Sequence, residues 1–317
     1  MKLFIPFFLV TFLFTSCLKD EIPVPPHESG DIIENAVELG NDYRYQAYYD
    51  FETNTFVKQH VKTDWDLGFE TAANGFRIVL NGAKSTRAAQ LTTTNFASVS
   101  DTVGAMWKYD ARSGKLDSTA IGNWQGANSI YIIDRGYSYN GTHLGFRKIE
   151  FTSVTANAYT IHYAHLDGSN EITLTIAKNP SYNFTFFSFD ANSEVSIEPE
   201  KETWDLVFGQ YTFLFEPDFP YLVTGVLANR NGVEIAEVFD IPFSEITFSE
   251  VANRTFSTDI DIIGYDWKTF SGGTYVIHSE KSYLVKTVEG YYYKIHFIDF
   301  YNDAGEKGAP RFEIGAL

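Results

Sequence analysis

Short stretches of alternating apolar and polar residues follow one another along most of the chain. Segment 76–80 alternates in this way and runs into the turn dipeptide Asn81-Gly82. A period of two is typical of a strand with one buried face, and a turn dipeptide is typical of its end. Helical patterns are few and short, and the best are at 234–238 and 249–253. We therefore predict a mostly β chain, with further strands in segments 149–151, 159–163, 171–176, 221–227, 282–288 and 291–300.

A series of sequence words occurs twice. Asp64–Phe69 reads Asp-Trp-Asp-Leu-Gly-Phe, and Thr203–Phe208 reads Thr-Trp-Asp-Leu-Val-Phe. The spacing between paired words grows slowly along the chain, as loop insertions would cause, and far exceeds the roughly 20–50 residues of a solenoid repeat. We predict two tandem copies, a divergent first copy at 31–177 and a second at 178–317. Further pairs are Trp124 with Trp267, 131–134 with 275–278, and 148–151 with 294–297.

The repeat helps to separate framework residues from site residues, because a framework residue is expected in both copies whereas a site need occur in only one. Asp64 and Asp66 are two residues apart, so on a strand they share a face and fit acid–base chemistry. Only Asp66 recurs, as Asp205, next to a repeated tryptophan. This recurrence favours a structural role, in which the indole is buried and the aspartate accepts hydrogen bonds from backbone groups, over acid–base chemistry. The predicted framework residues are Trp65, Asp66, Trp204, Asp205, Trp124 and Trp267.

Composition supports the β prediction and excludes several functions. The 317 residues include 28 Phe and 20 Tyr, which favour pleated, half-buried surfaces. A net charge of −17 disfavours nucleic acid as a partner. The chain shows no phosphate-binding loop, nucleophile elbow or zincin motif, so we do not expect an enzyme. Asp259, Asp261 and Gly264 resemble part of a calcium loop, but Phe270 stands where the bidentate acid is required, so no metal site is predicted.

The N-terminus resembles an export signal. Lys2 precedes the apolar segment 3–14, which is too short to span a bilayer and has the length of a signal-peptide core. The small residues before Cys17 resemble a bacterial lipobox, so we predict a signal peptide at 1–16 and a lipid anchor on Cys17. The alternative is an ordinary secretory signal with an incidental cysteine. Cys17 is the only cysteine, so it cannot form an intramolecular disulfide.

The segment after Cys17 predicts how the protein is displayed. Leu18-Lys19-Asp20-Glu21 resembles the acidic tag with which lipoproteins of the Bacteroidetes are exported to the cell surface, although a solvated linker has the same composition. The proline-rich stretch 22–26 is stiff and extended and would hold the folded body away from the membrane. We therefore predict a linker at 17–30 and a lipid-anchored outer-membrane protein exposed at the cell surface.

The second copy resembles the HmuY family of haem-binding surface lipoproteins. The resemblance is carried by the aromatic strand 184–189, by Trp204–Phe208, by Trp267–Phe270 with the glycines that follow it, and by Lys294–Phe297. The first copy matches more weakly. The resemblance implies an all-β fold of two tandem HmuY-like domains, and capture of haem for an outer-membrane receptor through two axial histidines.

The chain departs from the ligand pattern of that family. Phe270-Ser271 is followed by Gly272 where the family has a histidine, and segment 231–267 contains no histidine. Of the seven histidines, His278 and His296 occur only in the second copy, opposite Asp134 and Glu150, as expected of a site on a repeated framework. The alternative is that both are surface strand residues.

The aromatic run Tyr291-Tyr292-Tyr293 adds Tyr292 as a candidate ligand-binding residue. Alternate tyrosines on a strand face opposite sides, so some of them are exposed and able to stack on a porphyrin or a sugar, or to anchor a protein. Cross-strand pairing explains them equally well. We interpret the chain as a non-catalytic binding protein with haem or a related tetrapyrrole as the candidate ligand. The alternatives are a structural or adhesive surface protein and a glycan-binding module.

Overall fold

The computed structural model describes residues 30–126 and 128–317. The predicted signal peptide, Cys17 and most of the predicted linker lie outside the described residues. Strands alternate with turns and short 3-10 helices throughout the described part. The strands before residue 178 are β1 Ile33–Ala36, β2 Tyr45–Asp50, β3 Thr55–Val61, β4 Leu67–Glu70, β5 Ile78–Leu80, β6 Arg87–Gln90, β7 Ile130–Asp134, β8 Phe146–Val154, β9 Ala158–Ala164 and β10 Ile172–Ala177.

The second part of the chain contains longer strands. The 3-10 helices span Gly82–Lys84, Phe96–Ser98, Leu116–Ser118, Phe243–Glu245 and Phe248–Asn253. The strands are β11 Phe184–Ser188, β12 Ser193–Val195, β13 Leu206–Phe215, β14 Phe219–Ala228, β15 Glu234–Val238, β16 Lys268–Ser271, β17 Thr274–Ile277, β18 Ser282–Lys286, β19 Tyr292–Tyr301 and β20 Lys307–Ala316.

The prediction of a mostly β chain is confirmed, with one local error. Segment 234–238, predicted as a helix, is strand β15 and pairs with β18. Its apolar residues Ile235, Ala236 and Val238 are buried in this pairing, and five residues are too few for the periodicity to distinguish a strand from a helix. Segment 249–253 does lie in a 3-10 helix.

The strands form two β-sandwiches. The first sandwich packs sheet β12-β11-β4-β5 against sheet β10-β9-β8-β7-β6, and the second packs β14-β13-β2-β3 against β1-β20-β19-β18-β15. All the strand pairs are antiparallel, and β16 and β17 form a separate hairpin. Each sandwich encloses its own aromatic core. Phe69, Tyr131 and Phe187 are buried in the first sandwich, and Tyr49 and Phe208 are buried in the second.

Each half of the sequence contributes a hairpin to the sandwich of the other half. Strand β11 lies beyond residue 178 but pairs with β4, with Phe186 opposite Gly68. Strand β2 lies at the start of the chain but pairs with β13, with Tyr48 opposite Val207. The predicted copies 31–177 and 178–317 therefore describe the sequence repeat, while the sheets take strands from both sides of residue 178.

The repeated aspartates occupy matching positions in the two sandwiches. Asp66 Oδ2 accepts a hydrogen bond from the backbone N–H of Phe189 at 2.8 Å, and Asp205 Oδ2 accepts one from Phe51 at 3.0 Å. Both aspartates are completely buried. Each fixes the end of the hairpin that the other half contributes.

The repeated tryptophans also have matching surroundings. Trp65 meets Phe186 edge to face at 4.7 Å, and Trp204 meets Tyr48 edge to face at 4.8 Å. The amide nitrogen of Asn81 donates to the Trp65 carbonyl at 2.8 Å, as that of Asn229 does to the Trp204 carbonyl at 2.7 Å. Trp124 and Trp267 are buried, one in each core.

Among the described residues, no helix combines the length and the apolar character that crossing a bilayer requires.

Candidate functional site

The two sandwiches differ most at the hairpin that follows the repeated tryptophan–aspartate pair. In the first sandwich β4 has four residues and β5 has three, whereas β13 and β14 have ten residues each. The extra length carries exposed aromatic side chains, with Phe219 62% and Tyr221 57% exposed. Isolated exposed aromatics are common, but several on one extended hairpin indicate a binding surface.

The rings at this end of the β13–β14 hairpin contact one another. The ring centroids of Phe213 and Phe215 are 4.8 Å apart, and Tyr265 lies 4.9 Å from Phe213. The Arg112 guanidinium lies over the Phe213 ring at 4.6 Å and is more than half exposed. The rings therefore form a continuous apolar face with a cation at its edge.

The β16–β17 hairpin is a second element of this region. Lys268, at its start, donates from Nζ to the carbonyl of Thr224 on β14 at 2.5 Å, which ties the two hairpins together. Phe270 at its tip is 62% exposed and lies 5.1 Å from Tyr275. The described residues between Trp124 and β7 form no strand, so this hairpin has no counterpart there. The predicted pairing of 131–134 with 275–278, and with it that of Asp134 with His278, is wrong, because 131–134 belongs to β7, which pairs with β8 as β18 pairs with β19.

The hydroxyl of Tyr43 is buried, and its ring stacks on Phe300, which Tyr275 of the β16–β17 hairpin also contacts. Burial raises the pKa of Tyr43, and the neighbouring phenols of Tyr275 and, less strongly, Tyr221 raise it further. Tyr221 belongs to β14 and Tyr275 to β17. We give the name aromatic surface to the exposed and half-exposed rings of this region, which are Phe215, Phe219, Tyr221, Tyr265 and Phe270.

Of the candidate ligand residues, the structure places His278 at the base of the β16–β17 hairpin. Its backbone N–H donates to the carbonyl of Trp267 at 2.9 Å. Its Nε2 lies 2.8 Å from the Thr269 hydroxyl, and its Nδ1 lies 3.3 Å from Glu280. The side chain is about one-third exposed. His278 is therefore accessible and close to an element that only the second sandwich has.

His296 has framework contacts. Its ring stacks on Phe243 at 3.8 Å, and its Nε2 lies 2.7 Å from Glu313 on the neighbouring strand. In the first sandwich His162 lies 3.0 Å from Glu150, and its ring packs at a tilt against Phe96 with the centroids 4.0 Å apart. In the second sandwich the histidine is on β19 and the glutamate on β20, whereas in the first sandwich the glutamate is on β8 and the histidine on β9. The two residues have therefore exchanged strands, and pairing His296 with Glu150 in the sequence could not show this.

Tyr292 is half-buried on β19. Its ring packs edge to face against Phe248 and Phe256, at 5.7 and 5.8 Å. The structure therefore brings His278, and neither His296 nor Tyr292, to the β16–β17 hairpin. The aromatic surface itself was missed from the sequence, although Phe213, Phe215, Phe219 and Tyr221 form an aromatic-rich run that could have indicated it.

A cluster of carboxylates was also missed. Asp50, Glu52 and Asp205 bring their oxygens within 4.8 Å of one another, a spacing that could hold a metal ion. Burial raises the pKa of Asp205 to about 7 and that of Glu52 to about 8. Protons therefore relieve much of the negative charge of this cluster near neutral pH.

Comparison with known proteins shows one family. The family model described as HmuY protein matches residues 42–314, a single region that includes both halves of the repeat. No curated protein is detectably similar.

Several solved structures are also similar. Apo PinO from Porphyromonas gingivitis is 10% identical, with 90% of this chain and 97% of that one covered and a TM-score of 0.30. The apo HmuY analogue from Tannerella forsythia is 13% identical, with 92% and 98% covered and a TM-score of 0.27. A putative HmuY-like haem-binding protein from Bacteroides vulgatus is 12% identical, with 89% and 90% covered and a TM-score of 0.21. Because the family match extends over most of its length, this chain belongs to the HmuY family.

Proposed function

We propose that the protein is a non-catalytic binding protein that holds haem or a related tetrapyrrole against the aromatic surface. Membership of the HmuY family and the name of the haem-binding protein of Bacteroides vulgatus support the ligand class. The observation that carries the proposal is that exposed aromatic rings lie on the extension of the β13–β14 hairpin, which the β4–β5 hairpin lacks, and on the β16–β17 hairpin, which has no counterpart among the described residues of the first sandwich. A site added to a repeated framework is expected to be asymmetric in this way.

The residues of this surface fit the chemistry of a haem. Flat aromatic rings stack on a porphyrin, and the Arg112 guanidinium suits a propionate carboxylate. Haem iron accepts histidine or tyrosinate as an axial ligand, so His278 and the exposed phenol of Tyr221 are the candidate donors. The histidine that the family places after Phe270-Ser271 is Gly272 here, so the axial ligands differ from the family pair.

Titration of the full chain with haemin tests the proposal. We expect a shifted Soret band that saturates at low micromolar haemin, and binding about threefold to tenfold weaker for Phe270→Ala because one stacked ring is lost. His278→Ala and Tyr221→Phe should change the spectrum if either residue ligates iron.

Tyr291→Ala is the matched control, because Tyr291 is 61% exposed but lies on the turn before β19. A Soret band that never shifts, or an equal loss of affinity in the Phe270 and Tyr291 variants, would contradict the proposal. Binding on a glycan array without any haemin response would support the glycan-binding or adhesive alternative.

We also propose that Cys17 carries lipid and that the protein is displayed at the outer surface of the outer membrane, where it passes its ligand to a membrane receptor. The small residues before the single cysteine and the acidic tag after it support this proposal. Cys17→Ser should abolish labelling with a palmitate analogue and release the protein from the membrane fraction. Resistance of the unaltered protein to protease added to intact cells would contradict surface display.

A further inference from the structure

An aromatic cavity, partly open to solvent, lies where the two sandwiches meet. Its volume is about 160 Å³. The repeated pairs Trp65 with Phe186 and Trp204 with Tyr48 line it, so both halves of the molecule contribute the same kind of wall. A cavity of about 150 Å³ accepts a single benzene ring. The cavity is therefore the size of one aromatic ring and too small for a tetrapyrrole.

Four buried polar atoms in this wall have no hydrogen-bond partner within the described residues. They are the indole N–H groups of Trp65 and Trp204, the hydroxyl of Tyr211 and Oε1 of Gln46. These side chains expose only 9%, 5%, 5% and 9% of their surfaces. A buried polar group without a partner costs roughly 1–3 kcal/mol, and structures seldom leave several in one place. The four atoms offer three donors and one acceptor.

The charged groups around the cavity favour a neutral ligand. Two arginines line the cavity. Arg112 is paired with Asp261 at 3.3 Å, and the carboxyl groups of Asp110 and Glu198 act electrostatically on Arg230, which lies near Phe184, so the charges here are already balanced. Asp110 accepts from the backbone N–H groups of Leu80 and Ala120, and Glu198 accepts from that of Phe184. An anion entering here would face two carboxyl groups that already have backbone partners.

We propose that this cavity is a second binding site, which takes a neutral one-ring aromatic carboxamide or a lactam of similar size. Its carbonyl oxygen accepts from the tryptophan and tyrosine donors, and its N–H donates to Gln46. The ring packs between Tyr48 and Phe186. This site is distinct from the aromatic surface, because none of the five residues of that surface lines it; Arg112, at the edge of that surface, is a residue that the two sites share.

Indole N–H signals in a ¹H–¹⁵N correlation spectrum of the full chain test the proposal directly. The chain has five tryptophans, so five indole signals are expected. Benzamide should shift the signals of Trp65 and Trp204 and leave those of Trp107, Trp124 and Trp267 in place. Toluene has the ring without the amide and benzoate carries a charge, so both should bind at least tenfold more weakly.

Substitution of single tryptophans tests which indole N–H groups bind the ligand. Trp65→Phe and Trp204→Phe each remove one N–H and keep most of the ring, and each should weaken benzamide binding about fivefold. Trp107→Phe is the matched control, since Trp107 stacks on Phe146 and does not line the cavity.

Three outcomes would overturn the proposal. The first is that the Trp65 and Trp204 signals do not shift at about 10 mM benzamide, a concentration that is ample for a ligand this small. The second is that all five signals shift equally. The third is that benzoate binds as tightly as benzamide. The first and second need no variant, so they hold even where a substitution impairs folding.

Discussion

The two sandwiches hold the same buried aspartate in the same backbone setting but balance its charge in different ways. Asp66 accepts hydrogen bonds from Lys84 Nζ and, at 3.0 Å, from Arg135 Nε, and all three side chains are buried. Asp205 instead accepts from two backbone N–H groups, those of Phe51 and Val288.

The neighbouring acids show the same difference. Asp190, next to Phe189 in the first sandwich, is bound by Arg135 at 2.8 Å. Glu52, next to Phe51 in the second sandwich, accepts a hydrogen bond from the Thr287 hydroxyl at 2.7 Å, and its second carboxylate oxygen is buried without a partner among the described residues. The backbone role of the aspartate is therefore shared, whereas its charge partners are not, so a recurring residue does not imply recurring electrostatics.

The largest expected difference is between Asp66→Asn and Asp205→Asn. The first substitution leaves Lys84 and Arg135 buried with a neutral partner, which costs about 3–5 kcal/mol of unfolding free energy. The second disturbs one backbone hydrogen bond and costs about 1–3 kcal/mol. Urea denaturation of the two variants measures this. Equal losses would show that the cations contribute nothing beyond the backbone contacts.

The pH dependence of stability should differ next. Burial raises the pKa of Asp205 to about 7, whereas in the unfolded chain the group ionises near pH 4. Between these values the folded state binds more protons, so the Asp205 contribution to stability is lost as the pH rises from about 4 to 7. Asp205→Asn should flatten the curve of unfolding free energy against pH in this range.

Asp64→Asn is the control for that measurement, because Asp64 is exposed and two residues from Asp66. An unchanged slope in Asp205→Asn would show that the buried carboxyl titrates normally. A slope flattened equally by Asp64→Asn would assign the pH dependence to general surface charge.

The smallest expected difference concerns two lysines that make the same contacts in both sandwiches. Lys148 donates to the carbonyls of Phe96 and Val99 at 3.1 and 2.9 Å, and Lys294 does so to those of Phe243 and Ile246 at 3.0 and 2.9 Å. Lys148→Met and Lys294→Met should each cost about 1–3 kcal/mol, because two carbonyls lose their donor.

Thermal or urea unfolding of both lysine variants provides the comparison. Costs that agree within about 0.5 kcal/mol would support equivalent roles, since that is the usual scatter for independent sites. A loss of unfolding free energy in only one of the two variants would show that the two lysines contribute differently to stability although their contacts match.

Much of the fold could be predicted from the residues. The hairpin predicted at 282–300 is β18 and β19, with Gly290 at a φ of +91° in the turn between them, a conformation that glycine adopts easily. Alternation also located β5, β9 and β10. Prediction was wrong at β15, where a short apolar run is buried by pairing with β18, a strand about fifty residues further along the chain.

The candidate site was harder to predict. Of the three proposed ligand residues, His278 lies beside an element unique to the second sandwich, while His296 has a counterpart in His162 on a different strand. Aligning residue with residue could not reveal an exchange between neighbouring strands. The cavity between the sandwiches depends on residues from both halves, which no local pattern records.

The sequence by itself determined several of the strands, the repeated tryptophan–aspartate words and the family resemblance, because the alternation of apolar residues and the turn dipeptides involve residues close together in the chain. Only the tertiary structure decided that the hairpins β2–β3 and β11–β12 pair with the opposite half, and that Lys84 and Arg135 meet Asp66. Strand partners and buried ion pairs form between residues far apart in the chain, and the energy that selects them comes from the packed core as a whole.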